Sequence, residues 1–255
     1  QRNVNEILGL VQTTKDEPLK IALTAILLTA TGNSTEIDLK KVQKAKNSFI
    51  NFIHEIHQYS GEANSYLEDC RSTNILSDSI DGVITSPPYI NVFNYHQNYR
   101  PIMEKLGWFP LNAAKSEIGA NRKFRQNRFL TVVQYAQDLG QTLDELARIM
   151  KHDAIGVMVV GRESKVLGES FNNSEILEKL LYLHPSFNFI SSTERVFVNK
   201  FGQSIYEDLI IFRKTSSYEI LDVRLSTEIG TTFLKTKLAD SKIENQELLT
   251  QAVSK

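Results

Sequence analysis

Ten residues hold most of the chemistry available to this chain: Asp81-Gly-Val-Ile-Thr-Ser-Pro-Pro-Tyr-Ile90. Gly82 to Thr85 reads as a compact apolar strand emptying into Ser86, Pro87, Pro88 and Tyr89. Ligands of open α/β sheets bind beyond the carboxyl ends of the strands, so this bend is expected to line a pocket. The two prolines fix φ and hold the turn stiff, and neither has an N–H to donate. What remains is mainly acceptors, the Ser86 hydroxyl and the Pro87 carbonyl, beside the flat ring of Tyr89. Acceptors next to a stacking ring suit a planar heterocycle with an exocyclic amino group. Gripping that amine by its hydrogens keeps its lone pair aimed at an electrophile and stabilises positive charge growing on nitrogen.

Such a bend needs a sheet to hold it. The first sixty residues read as helices: Ile7, Leu10 and Val11 recur at helical spacing, and Leu19 to Leu28 is apolar on most faces. Gly32-Asn33-Ser34 ends that segment, with Ser34 or Thr35 able to cap the next. Leu39, Val42, Ala45, Phe49, Ile53 and Ile56 then form a helical stripe. Beyond residue 63 the period changes. Ser65 to Asp69 predicts a short strand, Gln134 to Lys151 a strong helix, and Ala154 to Val160 a strand buried on both faces. A helix over 174–183 follows, then a hairpin of strands 187–198 and 205–214 turning at Asn199 to Gly202. Strand, helix, strand, helix and an antiparallel pair make a doubly wound α/β layout. The polar tail from residue 215 reads as an appendage.

Composition sets the outer bounds. Of 255 residues, 41% are hydrophobic, enough for a core, and 29 basic against 30 acidic side chains leave a net charge of −1. That balance excludes nucleic-acid binding through bulk charge and leaves room for a local basic patch. The single cysteine, Cys70, excludes a disulfide scaffold and a multi-cysteine zinc site. The apolar run Leu19 to Ala30 is too short to span a bilayer, and no signal segment opens the chain. A soluble, cytoplasmic protein is expected. His54 and His57 stand three apart without a carboxylate or cysteine partner, so no metal site is expected.

Thr85-Ser-Pro-Pro-Tyr89 at the end of an apolar strand resembles the catalytic motif of the amino-group DNA methyltransferases. These enzymes transfer methyl from S-adenosylmethionine to the exocyclic nitrogen of cytosine or adenine. The likeness runs through Asp69-Cys-Arg before the motif and Asn91 to Tyr95, Leu106-Gly-Trp108 and Glu117-Ile-Gly119 after it. It continues in Leu143 to Lys151, the Ala154 to Val160 strand with Gly161, and Glu207 to Lys214, covering roughly residues 60 to 215. The resemblance implies a Rossmann-like methyltransferase fold in which Ser86, Pro87, Pro88 and Tyr89 are catalytic. It puts Asp69, Cys70, Thr85 and Ser86 near the cofactor, with Gly161 and Arg162 flanking the pocket. Serine at the first motif position leans toward cytosine N4. Cys70 is not a methylation nucleophile, because carbon-5 chemistry uses Pro-Cys and Cys70 follows Asp69.

The family's glycine-rich loop, Asp-Pro-Phe-x-Gly-x-Gly, has no match; Gly9, Gly32 and Glu228-Ile-Gly-Thr-Thr232 are isolated glycines. The resemblance therefore implies a fold without its first two strands, with a helical segment at 1–60, the catalytic portion (strands 3 to 7) at 61–214, and the appendage at 215–255. A second polypeptide supplying the glycine-rich half, a longer protein of which this is part, and a member that binds without catalysing all stay open.

DNA is the implied partner, in a restriction or other defence system. Lys115, Arg122, Lys123, Arg125 and Arg128 stand against one acid, Glu117, with Asn121, Phe124, Gln126 and Asn127 interleaved. Amides among arginines suit phosphate and base-edge contacts. Tyr95, His96 and Tyr99 are candidates to hold an extruded base. The rival functions are an RNA or tRNA amino-group methyltransferase and a catalytically silent DNA-recognition subunit.

Overall fold

In the structure, a computed structural model, residues 4–36, 38–56, 61–90, 97–114, 116–119, 124 and 126–254 are described. Two units emerge, residues 1–65 with 94–115, and residues 66–93 with 116–255.

The first unit is helical: α1 (Val4–Thr13), α2 (Glu17–Thr31), α3 (Leu39–Glu55), α4 (Arg100–Lys105) and α5 (Pro110–Ala113). Local chemistry sets its boundaries. Asp16 caps α2 by accepting from the Leu19 amide, Pro18 occupies its first turn, and Gly32 ends it at φ 55°. Asp38, rather than Ser34 or Thr35, caps α3 by accepting from the Lys40 amide. Leu8, Val11, Leu27 and Ile102 form a small core. The stripe on α3 is real in spacing, yet only Ala45 is buried, and Leu39, Phe52, Ile53 and Ile56 stay exposed.

The second unit is built on a four-stranded sheet ordered β1-β2-β6-β5. Its strands are β1 (Ile80–Thr85), β2 (Met150–Gly161), β5 (Phe187–Val198) and β6 (Ser204–Lys214). β2 lies parallel to β1, whereas β6 runs antiparallel to both β2 and β5. Between them come α6 (Leu130–Ile149), a short hairpin β3 (Glu163–Val166) and β4 (Glu169–Asn172), and α7 (Asn173–Leu183). The α/β layout and the late hairpin are as the sequence predicts. On β2, Ala154, Gly156, Met158 and Val160 are buried and the residues between them half-buried, so one face is fully covered and the other partly. β1 pairs on one side only among the described residues, and Ile84 on it is 84% exposed.

Two expectations need correction. Residues 65–69 form no strand; a single bridge joins Asp69 to Ser72, and Tyr66 and Leu67 are exposed. The cause is local: Asp69 is folded back onto Arg71 in a tight turn. The described sheet thus starts with the motif strand. Residues 215–255 are not an appendage. They form α8 (Val223–Asp240) and α9 (Ile243–Val253), which, with Leu221 just before them, deliver Ile229, Leu234, Leu249 and Ala252 to the same core as Leu139 and Leu143 of α6. Their polar composition conceals apolar residues at helical spacing, which is enough to bury one face.

Candidate functional site

The bend lies where expected, at the carboxyl end of β1 and beside that of β2. Thr85 and Ser86 are exposed, Pro87 is buried, Pro88 and Tyr89 are half-buried, and Ile90 is fully buried. The Ser86 hydroxyl donates to the Val159 carbonyl at 2.9 Å. Its only proton is thereby committed, so the oxygen offers lone pairs to anything that approaches from solvent. The Tyr89 hydroxyl lies 3.5 Å from the Ser86 hydroxyl and 3.5 Å from the Glu207 carboxylate of β6. Acceptor oxygens and an aromatic ring thus share one open strand end.

Two glycines make room for that tyrosine. A Cβ at Gly161, the last residue of β2, would sit 2.5 Å from Tyr89 Cε2. A Cβ at Gly119, where φ is +73°, would sit 2.6 Å from the Tyr89 carbonyl oxygen. The ring therefore rests directly on the β2 backbone, and the 116–119 loop closes on the main chain behind it. Tyr135 of α6 is wholly buried, its hydroxyl without a hydrogen-bond partner among the described residues. Burial first, and the nearby Tyr89 second, push its phenol well above the usual range.

Around the bend the charges are paired. Arg162 holds Asp208 at 2.6 Å and reaches Glu194, so Gly161 is followed by a fixed cation. The Asp208 carboxyl is held below its ordinary value by Arg162 and Ser174, against the opposing effect of burial. Arg71 binds Asp69 at 2.7 Å, the buried Asp138 at 2.6 Å and the Ser116 carbonyl at 2.9 Å. It ties the turn ahead of β1 to α6 and to the loop that closes on Tyr89. Its guanidinium pulls the Asp69 carboxyl down.

The residues the sequence singled out divide accordingly. Ser86, Pro87, Pro88, Tyr89 and Gly161 come together. Asp69 stands in its turn with both carboxylate oxygens engaged by Arg71. Cys70 is exposed, with its sulfur 3.8 Å from the Thr142 hydroxyl. Tyr95, His96, Arg122, Lys123 and Arg125 lie outside the described residues, as do Lys115, Asn121 and His57. Arg128 is half-buried in the turn before α6, its Nε shielded from solvent. Asn127 offers no base-edge amide: it donates to the Leu248 carbonyl at 2.7 Å and accepts from the Phe129 amide at 3.1 Å. Tyr99 belongs to the helical unit. Among the described residues, no three His, Cys, Asp or Glu side chains group as metal ligands, and no helix is long and apolar enough to cross a membrane.

Sequence reasoning missed Glu207, the Val159 carbonyl and Asn173. Asn173 is fully buried and accepts from the Ile90 amide at 3.3 Å. Its amide nitrogen donates to the Gly161 carbonyl at 2.9 Å and to the Ser164 hydroxyl at 2.8 Å. No motif marks it, because two of those three partners are backbone atoms.

No family model matches the chain. It is 24% identical over 206 residues, 81% of its length, to the type II methyltransferase M.MjaII of Methanocaldococcus jannaschii, and spans 33% of that protein. A crystal structure of a SAM-dependent methyltransferase from Methanosarcina mazei is similar at TM-score 0.38 and 13% identity, over 68% of this chain and 76% of that one. A candidate DNA modification methylase from Thermus thermophilus, crystallised with S-adenosyl-L-methionine, gives TM-score 0.35 and 15% identity, over 60% and 56% of the two chains.

Proposed function

We propose that this chain carries the base-binding part of an S-adenosylmethionine-dependent amino-group DNA methyltransferase, working in the cytoplasm as part of a restriction or other defence system. The observation that carries this reading is Ser86, whose proton is spent on the Val159 carbonyl while its oxygen stays exposed beside the Tyr89 ring. The sequence likeness to a type II methyltransferase points the same way.

In this reading a base swung out of the duplex stacks on Tyr89. Its amino hydrogens are received by the Ser86 oxygen and the Pro87 carbonyl, which leaves the nitrogen lone pair free to attack. S-adenosylmethionine, when bound, supplies the electrophilic methyl. As nitrogen gains positive charge, the two acceptors hold it more tightly than they held the neutral amine, and that difference lowers the barrier. Pro88 keeps the bend rigid so that the acceptors need not reorganise. Ser86 favours cytosine N4 over adenine N6 as the target.

Thr85 and Ser86, exposed at the strand end, fit the flank of a cofactor. Asp69 fits less well, since a ribose hydroxyl would have to share it with Arg71; Cys70 beside it adds only a thiol. The glycine-rich cradle comes from residues outside this sequence, in the same protein or a second one, and the side of β1 left unpaired among the described residues is where a further strand adds. Tyr95, His96, Arg122, Lys123, Arg125 and Arg128 are the proposed DNA contacts.

The test is methyl transfer from labelled S-adenosylmethionine to DNA and to tRNA, by this chain alone and with the product of the neighbouring gene. Transfer to DNA that disappears in Ser86→Ala and Tyr89→Ala, with folding intact, is the expected result. Unchanged rates in both variants, or transfer to tRNA alone, would overturn the proposal.

A further inference from the structure

The geometry points to Asn173 as the residue that sets the pose of Tyr89, a positioning role for a side chain that reaches Ile90 across 83 residues of sequence. The inference rests on the reading of the bend as a base site.

Consider what an asparagine can do where it lies. Gly161 offers a carbonyl, which only accepts, and Ile90 offers an amide, which only donates. An amide side chain satisfies both at once, because it carries a donor and an acceptor on the same carbon. Asn173 does so with full burial, donating to Gly161 and accepting from Ile90. Its own backbone N–H donates to the Arg162 carbonyl at 2.8 Å.

The consequence falls on the residue between those two anchors. Ile90 follows Tyr89 in the chain, and Gly161 lies under the Tyr89 ring at a distance no Cβ could tolerate. One side chain thus pins the main chain just after the tyrosine to the main chain just beneath it. The β3–β4 hairpin supplies the third support: Ser164 receives the second hydrogen of the Asn173 amide. That hairpin is itself fastened to the C-terminal helices, since Glu169 accepts from the Asn245 amide at 2.8 Å and Leu167 offers its carbonyl to the same group. Tyr89 is therefore clamped through Asn173 rather than by packing alone.

Aspartate is the telling replacement, being nearly the same shape. At neutral pH its carboxylate keeps the bond from Ile90 but faces the Gly161 carbonyl with a second acceptor, so the clamp opens on that side. Enclosure raises the carboxyl pKa, and once protonated its O–H can donate to Gly161 again. Asn173→Asp should therefore lose the tyrosine pose at pH 8 and regain it near pH 5.

The readout is ¹⁹F NMR of the chain labelled with 3-fluorotyrosine, with the Tyr89 signal assigned from Tyr89→Phe. In Asn173→Asp at pH 8 that signal should move toward free fluorotyrosine while circular dichroism stays native, and it should return at pH 5. Where methyl transfer is measurable, kcat should fall roughly 10- to 100-fold with KM for DNA little changed. If Asn173→Asp does not fold, Asn173→Ser, too short to span both partners and without a group that titrates, should move the Tyr89 signal equally at pH 8 and pH 5. A Tyr89 signal that stays at its native position in a folded variant would overturn the proposal. Should wild type, with the product of the neighbouring gene added, transfer no methyl to DNA, the functional reading fails, and the fluorine signal still decides the clamp.

Discussion

Replacing Gly161 with alanine puts one methyl group into the most tightly fitted contact at the bend. Its Cβ would lie 2.5 Å from Tyr89 Cε2 and 2.9 Å from both Cδ2 and Cζ. Carbon atoms settle about 3.5–4.0 Å apart, so the ring must retreat by roughly 1 Å or more. Overpacking of this kind costs about 1–3 kcal/mol of stability. The larger consequence is functional, because a reacting group misplaced by about 1 Å can lose about a hundredfold in rate. Gly156→Ala is the matched control: its Cβ would meet Phe212 Cζ at 2.2 Å, inside the sheet and away from the tyrosine. Thermal melting and methyl transfer to DNA should be measured on both. Both variants should melt earlier, and only Gly161→Ala should slow transfer per folded molecule. Equal slowing in the two, or full activity in Gly161→Ala, would refute the argument that the ring rests on this glycine.

Ser86→Ala should leave the melting temperature nearly unchanged, since the exposed hydroxyl contributes about 1 kcal/mol or less, while methyl transfer falls at least tenfold. Arg71→Met removes the cation from the buried Asp138; denaturant titration should show a loss of about 3 kcal/mol. Adding Asp138→Asn to that variant should recover part of it. Glu145 is pulled from its ordinary 4.5 down to about 2, first by Arg148 and then by Thr73. A carboxyl with a lowered folded-state pKa contributes stability above its unfolded value and loses it as pH falls through the folded one. Glu145→Gln should therefore be about 1–2 kcal/mol less stable at pH 7, and its melting temperature should converge on wild type between pH 4.5 and pH 2. A gap that persists at pH 2 would show that the carboxylate's charge is not the cause.

The parts of this protein that could be read from its sequence are those dictated by local periodicity. An unbroken apolar run gave β2, a three-to-four spacing gave α6, and Asn199 to Gly202 gave the turn between β5 and β6. The bend at Ser86 was legible because two prolines and a strand end leave little conformational choice. What escaped depended on distant partners. The β3–β4 hairpin is only four residues a side, and of its two turn residues, Leu167 at φ 51° and Gly168 at φ 85°, only the glycine signals a turn. Asn173 and Glu207 look ordinary until the fold brings them to Tyr89. Residues 65–69 read as a short strand, but the Asp69–Arg71 contact within the turn prevails there. The C-terminal helices were hidden by composition: Ile229, Leu234 and Leu249 are few among polar neighbours, and yet each is buried.

The position of β6 has a consequence for how this protein comes into being. It comes last in sequence among the described strands, yet it lies between β2 and β5, which do not pair with each other. Sheet closure is thus postponed until residues 204–214 have been translated, with contacts spanning some 50 residues back to β2. A nascent chain halted before that point would hold the β1–β2 pair and a detached β5, with the facing edges of β2 and β5 bare, and would be prone to clumping. Glu207 reaches Tyr89 only with β6, so a chain cut short before residue 207 lacks one wall of the bend.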